Sequence, residues 1–494
     1  MLKATRIVVS CFLAAAWAAG YDLVIANGRV MDPESRLDAI RHIGIRGGRI
    51  EAVSAKPLTG ATVIDAKGRV VAPGFIDLHA HGQTNKANEY QAHDGVTTAL
   101  ELEVGVPDVA AFLRGREGKA MINFGATASH GALRTLSMRQ YKAELDRYRA
   151  ASDSDGSVER WNRLNMMGRY QSLNHPEELS TLAALLEKGM REGALGLGVA
   201  HQYYPGATRE EVFRVFEMAA RWKTPIYTHV RMMGPDAMQE VIADAAATGA
   251  SLHIVHVNSM SLGNLPFVLD LIDGARKRGL DVTTEAYPYT AASTFIESTI
   301  FDDGWQERLG MTYGDVQWQN TAERLTKETF EKYRKQGGVV IMHMMKPEWI
   351  RRAMSSPAVM VASDGMPYAP GAHPRSAGTF SRVLGLYVRE EKTLPLMDAL
   401  AKMTLLPAKR LEAMSPQMRN KGRIKVGADA DITVFDADTV RDTATFEKGL
   451  SFSRGIDHVI VNGVAVVRDG KTVAGVNPGK AVVGNYAQRT GIAK

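Results

Sequence analysis

Cysteine is almost absent from this chain. One residue of 494 is a cysteine, Cys11, and it lies close to the N-terminus. One cysteine cannot form an intramolecular disulfide, and a chain that lost its first residues would have no thiol nucleophile and no thiolate ligand. Any chemistry must therefore come from oxygen and nitrogen side chains.

Long runs of one kind of residue are also missing. The 60 basic and 54 acidic residues give a net charge of only +6, and no basic patch with interleaved aromatics is present. A nucleic-acid partner is therefore not expected. No segment reaches the roughly 20 apolar residues that a membrane span needs. The composition is instead typical of a folded globular protein.

The N-terminus has the pattern of an export signal. Lys3 and Arg6 precede an apolar stretch at 7–19, which ends in small residues before Gly20. A charged start, a short apolar middle and a small-residue cleavage site are typical of a secretory signal peptide. We therefore expect residues 1–20 to be a signal peptide and the protein to be exported, periplasmic or secreted.

The remaining chain divides into three zones. Residues 21–72 and 413–485 contain short strands with glycine turns, and we expect them to combine into one small β-sandwich domain. Between them, at 73–412, strands alternate with helices, which predicts a (β/α)₈ TIM barrel of class α/β. The stretch 291–345 exceeds an ordinary connection and predicts an insertion that covers the site. The eight expected strands are 75–81, 97–103, 123–130, 195–201, 226–231, 252–258, 282–289 and 359–364.

Polar residues end several of these strands, although barrel strands should be nearly all apolar. His79 and His81 alternate with apolar residues on one strand and therefore face the same way, into the barrel. His229, His256 and Asp364 lie at the ends of three further strands. Such a set of nitrogen and oxygen donors is typical of a catalytic zinc site. Since active sites of these barrels lie at the strands' carboxyl ends, we expect a metal there.

The same residues carry a resemblance to a known family. The run PGFIDLHAH at 73–81 resembles the signature of the amidohydrolase superfamily, and the rest of the chain is similar to its D-aminoacylase (N-acyl-D-amino-acid deacylase) branch. The matching stretches are GVTT at 95–98, HGALR at 130–134, YYPG at 203–206, THVR at 228–231, YPY at 287–289, SDGMP at 363–367, HPRSAGTF at 373–380 and GADAD at 427–431.

The resemblance implies a zinc-dependent hydrolase of N-acyl amino acids, including N-acyl-D-amino acids. It implies one or two zinc ions on the four histidines and Asp364, with Asp364 also acting as the catalytic base. Tyr203 could hydrogen-bond a developing oxyanion or simply pack in its loop. Arg375 or Arg231 could bind a free carboxylate of a small amide substrate, and a surface salt bridge is the alternative for Arg375.

The chain departs from that branch after strand two. The branch has a cysteine ligand there, whereas this chain has Glu101 and Glu103 on one face of the strand. Glu103 is the first candidate for a bridging ligand and Glu101 the second. His253 is expected to face away from the site and pack against helices. His130, His201 and His373 are candidates for supporting the ligands.

Two other functions are compatible with these residues. A dipeptidase or a cyclic-amide hydrolase of the same superfamily would use the same metal ligands. A catalytically inactive relative could act as a binding or scaffold protein, but every expected histidine and the aspartate are present. The sequence therefore favours an active amidohydrolase that acts on carbon–nitrogen bonds other than peptide bonds.

Overall fold

A computed structural model describes residues 20–150, 164–486 and 488 of the chain. Apart from Gly20, the expected signal peptide lies outside these residues. Within the described part, no helix combines the length and the apolar character needed to cross a membrane.

Eight parallel strands form the central sheet, and each pairs with the next one along the chain. A further bridge between Ala80 and Gly365 links the segments after the first and eighth strands, which nearly closes the barrel. The predicted (β/α)₈ barrel is therefore confirmed. Barrel strands one to eight are Phe75–Asp77, Val96–Val106, Asn123–Ser129, Leu197–Ala200, Pro225–His229, Ser251–Ile254, Val282–Ala286 and Val359–Val361.

Helices connect and surround these strands. The helix Pro176–Arg191 shows why: Leu182, Leu186 and Met190 recur every four residues and are buried, which gives the helix one apolar face. The other helices in the barrel zone are Asn85–His93, Val109–Arg116, His130–Ser137, Lys142–Ala150, Arg209–Arg221, Pro235–Thr248, Val257–Ser261, Leu265–Lys277, Pro347–Ser355, Arg375–Arg382, Leu396–Met403 and Leu405–Leu411.

As predicted, strands from the two ends of the chain combine, and they form one nine-stranded sheet. Strand Val70–Pro73 pairs antiparallel with Ile432–Phe435, and this contact joins the N-terminal strands to the C-terminal ones. The other strands of this sheet are Tyr21–Asp32, Leu37–Arg46, Arg49–Ser54, Gly60–Asp65, Ile456–Val461, Val464–Arg468 and Lys471–Thr472.

The stretch 291–345 folds as a unit of its own, which we call the lid. Its strands Ala292–Phe295, Val316–Trp318 and Val339–Met342 form a three-stranded antiparallel sheet. Two helices, Trp305–Leu309 and Lys327–Gln336, belong to the same unit. Buried aromatic residues give the lid a separate apolar cluster, so it can hold its shape beside the barrel.

Side chains around strand one alternate between two environments. Ile76 and Leu78 belong to an apolar cluster with Leu411 of the outer helix layer. Asp77 and His79 lie on the opposite side and are fully buried. The Asp77 carboxylate accepts hydrogen bonds from the backbone N and the hydroxyl of Ser363. The alternation therefore places the polar residues inside the barrel and ties strand one to the end of strand eight.

Candidate metal centre and active site

The first group of candidate ligands lies directly after strands one and eight. The Nε2 atoms of His79 and His81 are 3.3 Å apart. Asp364 places Oδ1 3.4 Å from His79 Nε2 and 3.5 Å from His81 Nε2. Two neighbouring strand ends thus direct three donor atoms to one point.

The second group comes from strands five and six. His229 ends strand five, and His256 follows strand six. His229 Nδ1 lies 3.1 Å from His256 Nε2, and the two rings meet edge to face. Both side chains are almost completely buried.

Glu103 of strand two lies between the two groups. Its Oε2 atom is 3.2 Å from His79 Nε2 and 3.3 Å from His81 Nε2. Its Oε1 atom is 2.7 Å from His229 Nδ1 and 3.0 Å from His256 Nε2. Each carboxylate oxygen faces one pair of histidines, which is the arrangement that a ligand bridging two cations needs.

Glu101, the alternative candidate, takes a different position. Its Oε2 atom lies 2.7 Å from His81 Nδ1, on the side of the ring away from Glu103. The pairing of strand two with strand three becomes irregular after Glu101. Gly105 follows with a φ of +69°, and a Cβ there would lie 2.5 Å from Thr127 Oγ1. This local irregularity separates the two glutamates into an inner and an outer position.

The candidate ligands have unequal outer partners. Glu285 places Oε1 2.6 Å from His79 Nδ1 and Oε2 3.2 Å from His253 Nε2. His253 is therefore buried against Glu285, which corrects the expectation that it only packs against helices. Gln202 Oε1 lies 2.7 Å from His229 Nε2. His256 Nδ1 has no hydrogen-bond partner in the described part of the chain.

Two candidate ligands have unusual backbone conformations. His256 has a φ of +31° and Asp364 a φ of +50°. Residues other than glycine rarely adopt positive φ, and such strain is often found where a side chain must hold a functional direction. Both residues leave their strands at these points, so the strain turns their side chains towards the cluster.

The carboxylates of the cluster are held in their ionised form. Burial raises the pKa of Glu285, but the charge of His79 and the hydrogen bonds with His253 and His79 together outweigh burial and lower the pKa to about 2. Burial also raises the pKa of Glu103, yet the charge of His79 and the hydrogen bonds with His229 and His256 together hold that pKa well below its usual range. Burial raises the pKa of Asp364, but the charges of Arg375 and His79 and a hydrogen bond with His81 together outweigh burial and lower the pKa. Three buried anions therefore make this region attractive to a cation.

The donor set fits zinc. Three overlapping groups of residues have ligand atoms within 4.8 Å of one another, and Glu103 belongs to two of them. Imidazole nitrogens and carboxylate oxygens are the donors that catalytic zinc uses. The outer hydrogen bonds orient the rings as metal sites require. The cluster can therefore hold one or two zinc ions, on His79, His81, Glu103, His229, His256 and Asp364.

A cavity of about 670 Å³ includes this cluster in its wall. The lid contributes apolar side chains, among them Phe295, Ile300 and Met342, and the barrel adds Met233 and Met260. Small-molecule sites commonly have this volume and a mostly apolar wall with a few polar groups. The site is therefore shaped for a small organic substrate.

Tyr203 lies at the cavity wall beside the metal ligands. Its ring centroid is 5.0 Å from that of His229, and its hydroxyl is 3.0 Å from Thr294 Oγ1 of the lid. Burial raises the pKa of Tyr203, so the hydroxyl keeps its proton.

Arg375 is buried beside the cluster. Its Nη2 atom lies 2.9 Å from Asp364 Oδ1, and its guanidinium carbon is 4.7 Å from the centroid of the Tyr287 ring. Its Nε and Nη1 atoms have no hydrogen-bond partner among the described residues. The Tyr287 hydroxyl and Ser293 Oγ, both at the cavity wall, are likewise without partners there.

Arg231 lies apart from the other predicted substrate-binding residues. Its guanidinium donates to both carboxylate oxygens of Glu240 and to the carbonyl oxygen of Ala207. It does not belong to the described residues that line the cavity. Its donors are therefore used within the protein.

The three histidines considered as supporting residues also lie away from the described cavity wall. His130 Nε2 is 3.1 Å from Glu211, and His373 Nε2 donates to the carbonyl oxygen of Ala291. His201 is fully buried, and neither of its ring nitrogens has a partner in the residues described.

Sequence reasoning missed Glu285 and Gln202. Glu285 is a charged residue near the carboxyl end of barrel strand seven, which is the same signal that identified the histidines. Gln202 follows strand four and carried no such signal. Its contact with His229 depends on how the loop folds back over the neighbouring strand.

Comparison with known proteins gives the same classification. The amidohydrolase family profile matches residues 70–466. The N-acyl-D-glutamate deacylase of Alcaligenes xylosoxydans xylosoxydans is 33% identical, over 90% of this chain and 93% of its own length. The D-aminoacylase of the same organism is 30% identical, over 90% of this chain and 94% of its own length.

A solved structure agrees with these relatives. The N-acyl-D-glutamate deacylase from Bordetella bronchiseptica, crystallised with zinc and a phosphonate inhibitor, superposes with a TM-score of 0.78 at 26% identity. The superposition covers 94% of this chain and 100% of that one. The predicted metal-dependent hydrolase of carbon–nitrogen bonds is confirmed at the level of the family. This chain belongs to the amidohydrolase family.

Proposed function

We propose that the protein is a zinc-dependent deacylase that hydrolyses the amide bond of N-acyl amino acids, with preference for the D-enantiomers. The donor set of the cluster supports zinc, and the activities named for the two similar relatives support the substrate class. The observation that carries the proposal is a group of unpartnered donors beside the cluster.

These donors are suited to a carboxylate. Tyr287 offers its hydroxyl and Ser293 offers Oγ at the cavity wall, and Arg375 offers Nε and Nη1 behind Tyr287 and Asp364 of that wall. All these atoms are buried and without hydrogen-bond partners in the described part. Buried donors left unpaired cost free energy, so a ligand that satisfies them gains affinity. A guanidinium fork matches a carboxylate. In our proposal the α-carboxylate of the substrate binds here, with its amide next to the metal cluster.

The residues of the cluster then have distinct roles in hydrolysis. Bound zinc would lower the pKa of water to about 7 and polarise the amide carbonyl. Asp364, ionised at neutral pH, accepts the proton of the attacking water and returns it to the leaving nitrogen. Arg375, 2.9 Å away, holds Asp364 in place. The protonated hydroxyl of Tyr203 is available to donate to the developing oxyanion once it leaves Thr294.

A substrate screen tests this function directly. Metal analysis of purified protein should find zinc, and N-acetyl-D-amino acids should be hydrolysed faster than their L-enantiomers and faster than dipeptides or cyclic amides. Faster cleavage of dipeptides or of cyclic amides would replace the proposal with one of those activities. Zinc without hydrolysis of any of these substrates would overturn it.

The carboxylate site can be tested with a matched pair of tyrosines. Tyr287→Phe should raise KM about tenfold for N-acetyl-D-amino acids, because one donor to the carboxylate is lost. The same variant should act normally on substrates whose carboxylate is amidated. Tyr289→Phe is the control, since its hydroxyl bonds to Asp442. Equal losses on both kinds of substrate would show that Tyr287 supports the fold instead.

We also propose that the protein is exported after removal of residues 1–20. The charged start and the apolar stretch at 7–19 support this proposal. N-terminal sequencing of protein recovered outside the cytoplasm should begin near residue 21. A sequence that begins at Met1 would contradict the proposal.

A further inference from the structure

The cavity that includes the metal cluster also reaches Arg116. This residue ends the helix Val109–Arg116, which follows strand two. The wall between Glu103 and Arg116 includes the apolar side chains of Val104, Val106 and Phe112. Arg116 is the only lysine or arginine among the described residues that line the cavity.

The guanidinium of Arg116 has no ionic partner among the residues that the structure describes. Its Nη2 atom donates to Asn88 Oδ1 at 2.7 Å, and its Nε atom is buried with no hydrogen bond to any described residue. Its carbon lies 5.0 Å from the ring centroid of Phe124 and 6.0 Å from that of Phe112. None of the ion pairs found in the described part includes Arg116. Asp108, which also lines the cavity, uses Oδ1 to cap the helix at Ala111.

An unpaired cation in such surroundings favours an anionic ligand. Burial lowers the pKa of Arg116 to about 10, which leaves it charged at neutral pH. Removing a charge from water without a counter-charge costs free energy, and a charge-assisted hydrogen bond to a carboxylate recovers part of it. The apolar wall before Arg116 suits methylene groups rather than a second polar group.

We propose that Arg116 binds a second carboxylate of the substrate, at the free end of its acyl group. The acyl group would then be a dicarboxylic acid joined to the amino acid through one of its two carboxyls. This inference rests on the proposed function, which places the α-carboxylate at Arg375. Arg375 follows strand eight and Arg116 follows strand two, on the two sides of the segment after strand one. An amide at the cluster would therefore direct its acyl group towards Arg116.

Paired substrates test this assignment. N-acyl-D-leucines of increasing chain length would be compared, each with a terminal carboxylate or with the isosteric terminal carboxamide. The parent enzyme should show a KM about tenfold or more lower for the carboxylate at one chain length. Arg116→Met should remove this difference and leave kcat for the carboxamide unchanged. Arg114→Met is the control, because Arg114 is exposed on the same helix.

A binding measurement separates this inference from the proposed function. Calorimetry with free dicarboxylates and with monocarboxylates of equal length should show tighter binding of the dicarboxylates to the parent, and not to Arg116→Met. Equal binding of both acids to both proteins would overturn the role of Arg116, whether or not any amide is cleaved. If no amide in the substrate screen were hydrolysed, but the parent still bound dicarboxylates more tightly than Arg116→Met does, only the proposed function would be overturned.

The side chain of the amino acid is the other source of a second carboxylate. N-acetyl-D-glutamate and N-acetyl-D-glutamine distinguish it from the acyl group. If Arg116→Met raised KM for the glutamate compound and not for the ω-carboxyacyl compounds, the assignment to the acyl group would be wrong.

Discussion

The two pairs of histidines in the cluster differ in what supports them. His79 and His81 lie two residues apart, and each ring contacts a carboxylate, from Glu285 and Glu101 respectively. His229 and His256 come from separate strands; the first contacts the neutral Gln202. The second has no partner for Nδ1 in the described residues. Since a carboxylate partner makes an imidazole a stronger ligand, the pair His79–His81 should bind metal more tightly.

This comparison shows how similar ligands can form unequal sites. All four histidines lie at the same end of the barrel, three of them buried and His81 12% exposed, and Glu103 contacts both pairs. The expected difference in metal affinity comes from the residues behind the ligands. These residues contact the ligands and not the metal position. Substitutions of those residues can therefore break or sharpen the difference between the pairs, and the predictions follow from the largest expected effect to the smallest.

Substitution of Glu103, the ligand that both histidine pairs share, should have the largest effect on metal affinity. Glu103→Gln removes the negative charge that both pairs face, so we expect metal affinity to fall by more than about 100-fold and activity to be lost. Metal content after dialysis, measured together with the rate, checks this. Full metal occupancy in the variant would show that Glu103 is not a ligand.

Substitution of Glu285 should have the second-largest effect on metal affinity, because Glu285 supports His79, and we expect the pair His79–His81 to bind metal more tightly. Glu285→Gln keeps the shape but weakens the support of His79 and His253, and metal affinity should fall by about 10- to 100-fold. Competition with a chelator measures the affinity. If Glu285→Gln lowered metal affinity no more than Gln202→Leu does, the proposed difference in affinity between the two histidine pairs would be wrong.

Substitution of Glu101 should lower metal affinity less than substitution of Glu285. His81 is 12% exposed, whereas His79 is fully buried, so water can replace part of the lost contact. Glu101→Gln should lower metal affinity by about tenfold. The same chelator competition checks it, and an effect equal to that of Glu103→Gln would reverse the assignment of the two glutamates.

Gln202 offers a change in the opposite direction. Gln202→Glu gives His229 a carboxylate partner like that of His79, and metal affinity of the weaker site should rise by a few fold up to about tenfold. Gln202→Leu, the matched control, should lower it slightly. Stepwise metal titration by calorimetry distinguishes the two sites, and weaker binding by Gln202→Glu would contradict the prediction.

Much of this architecture was predictable from the sequence because it depends on short-range periodicity. Alternation along a strand places His79 and His81 on one face wherever the strand lies. The order of eight strand and helix patterns predicts a barrel, and a barrel brings the ends of its strands together. His229, His256 and Asp364 could therefore be assigned to one site before any contact was known.

The remaining features were decided by the tertiary structure. Glu101 and Glu103 share a face by the same alternation, and only the irregular pairing of strand two places one inside and the other behind His81. Arg231 comes directly after strand five and Arg375 begins the helix after strand eight, yet the sequence offered both as carboxylate ligands; one pairs with Glu240 and the other with Asp364. The physical reason is that periodicity determines the face on which a residue lies, whereas strand register and loop folding determine which residue it meets there.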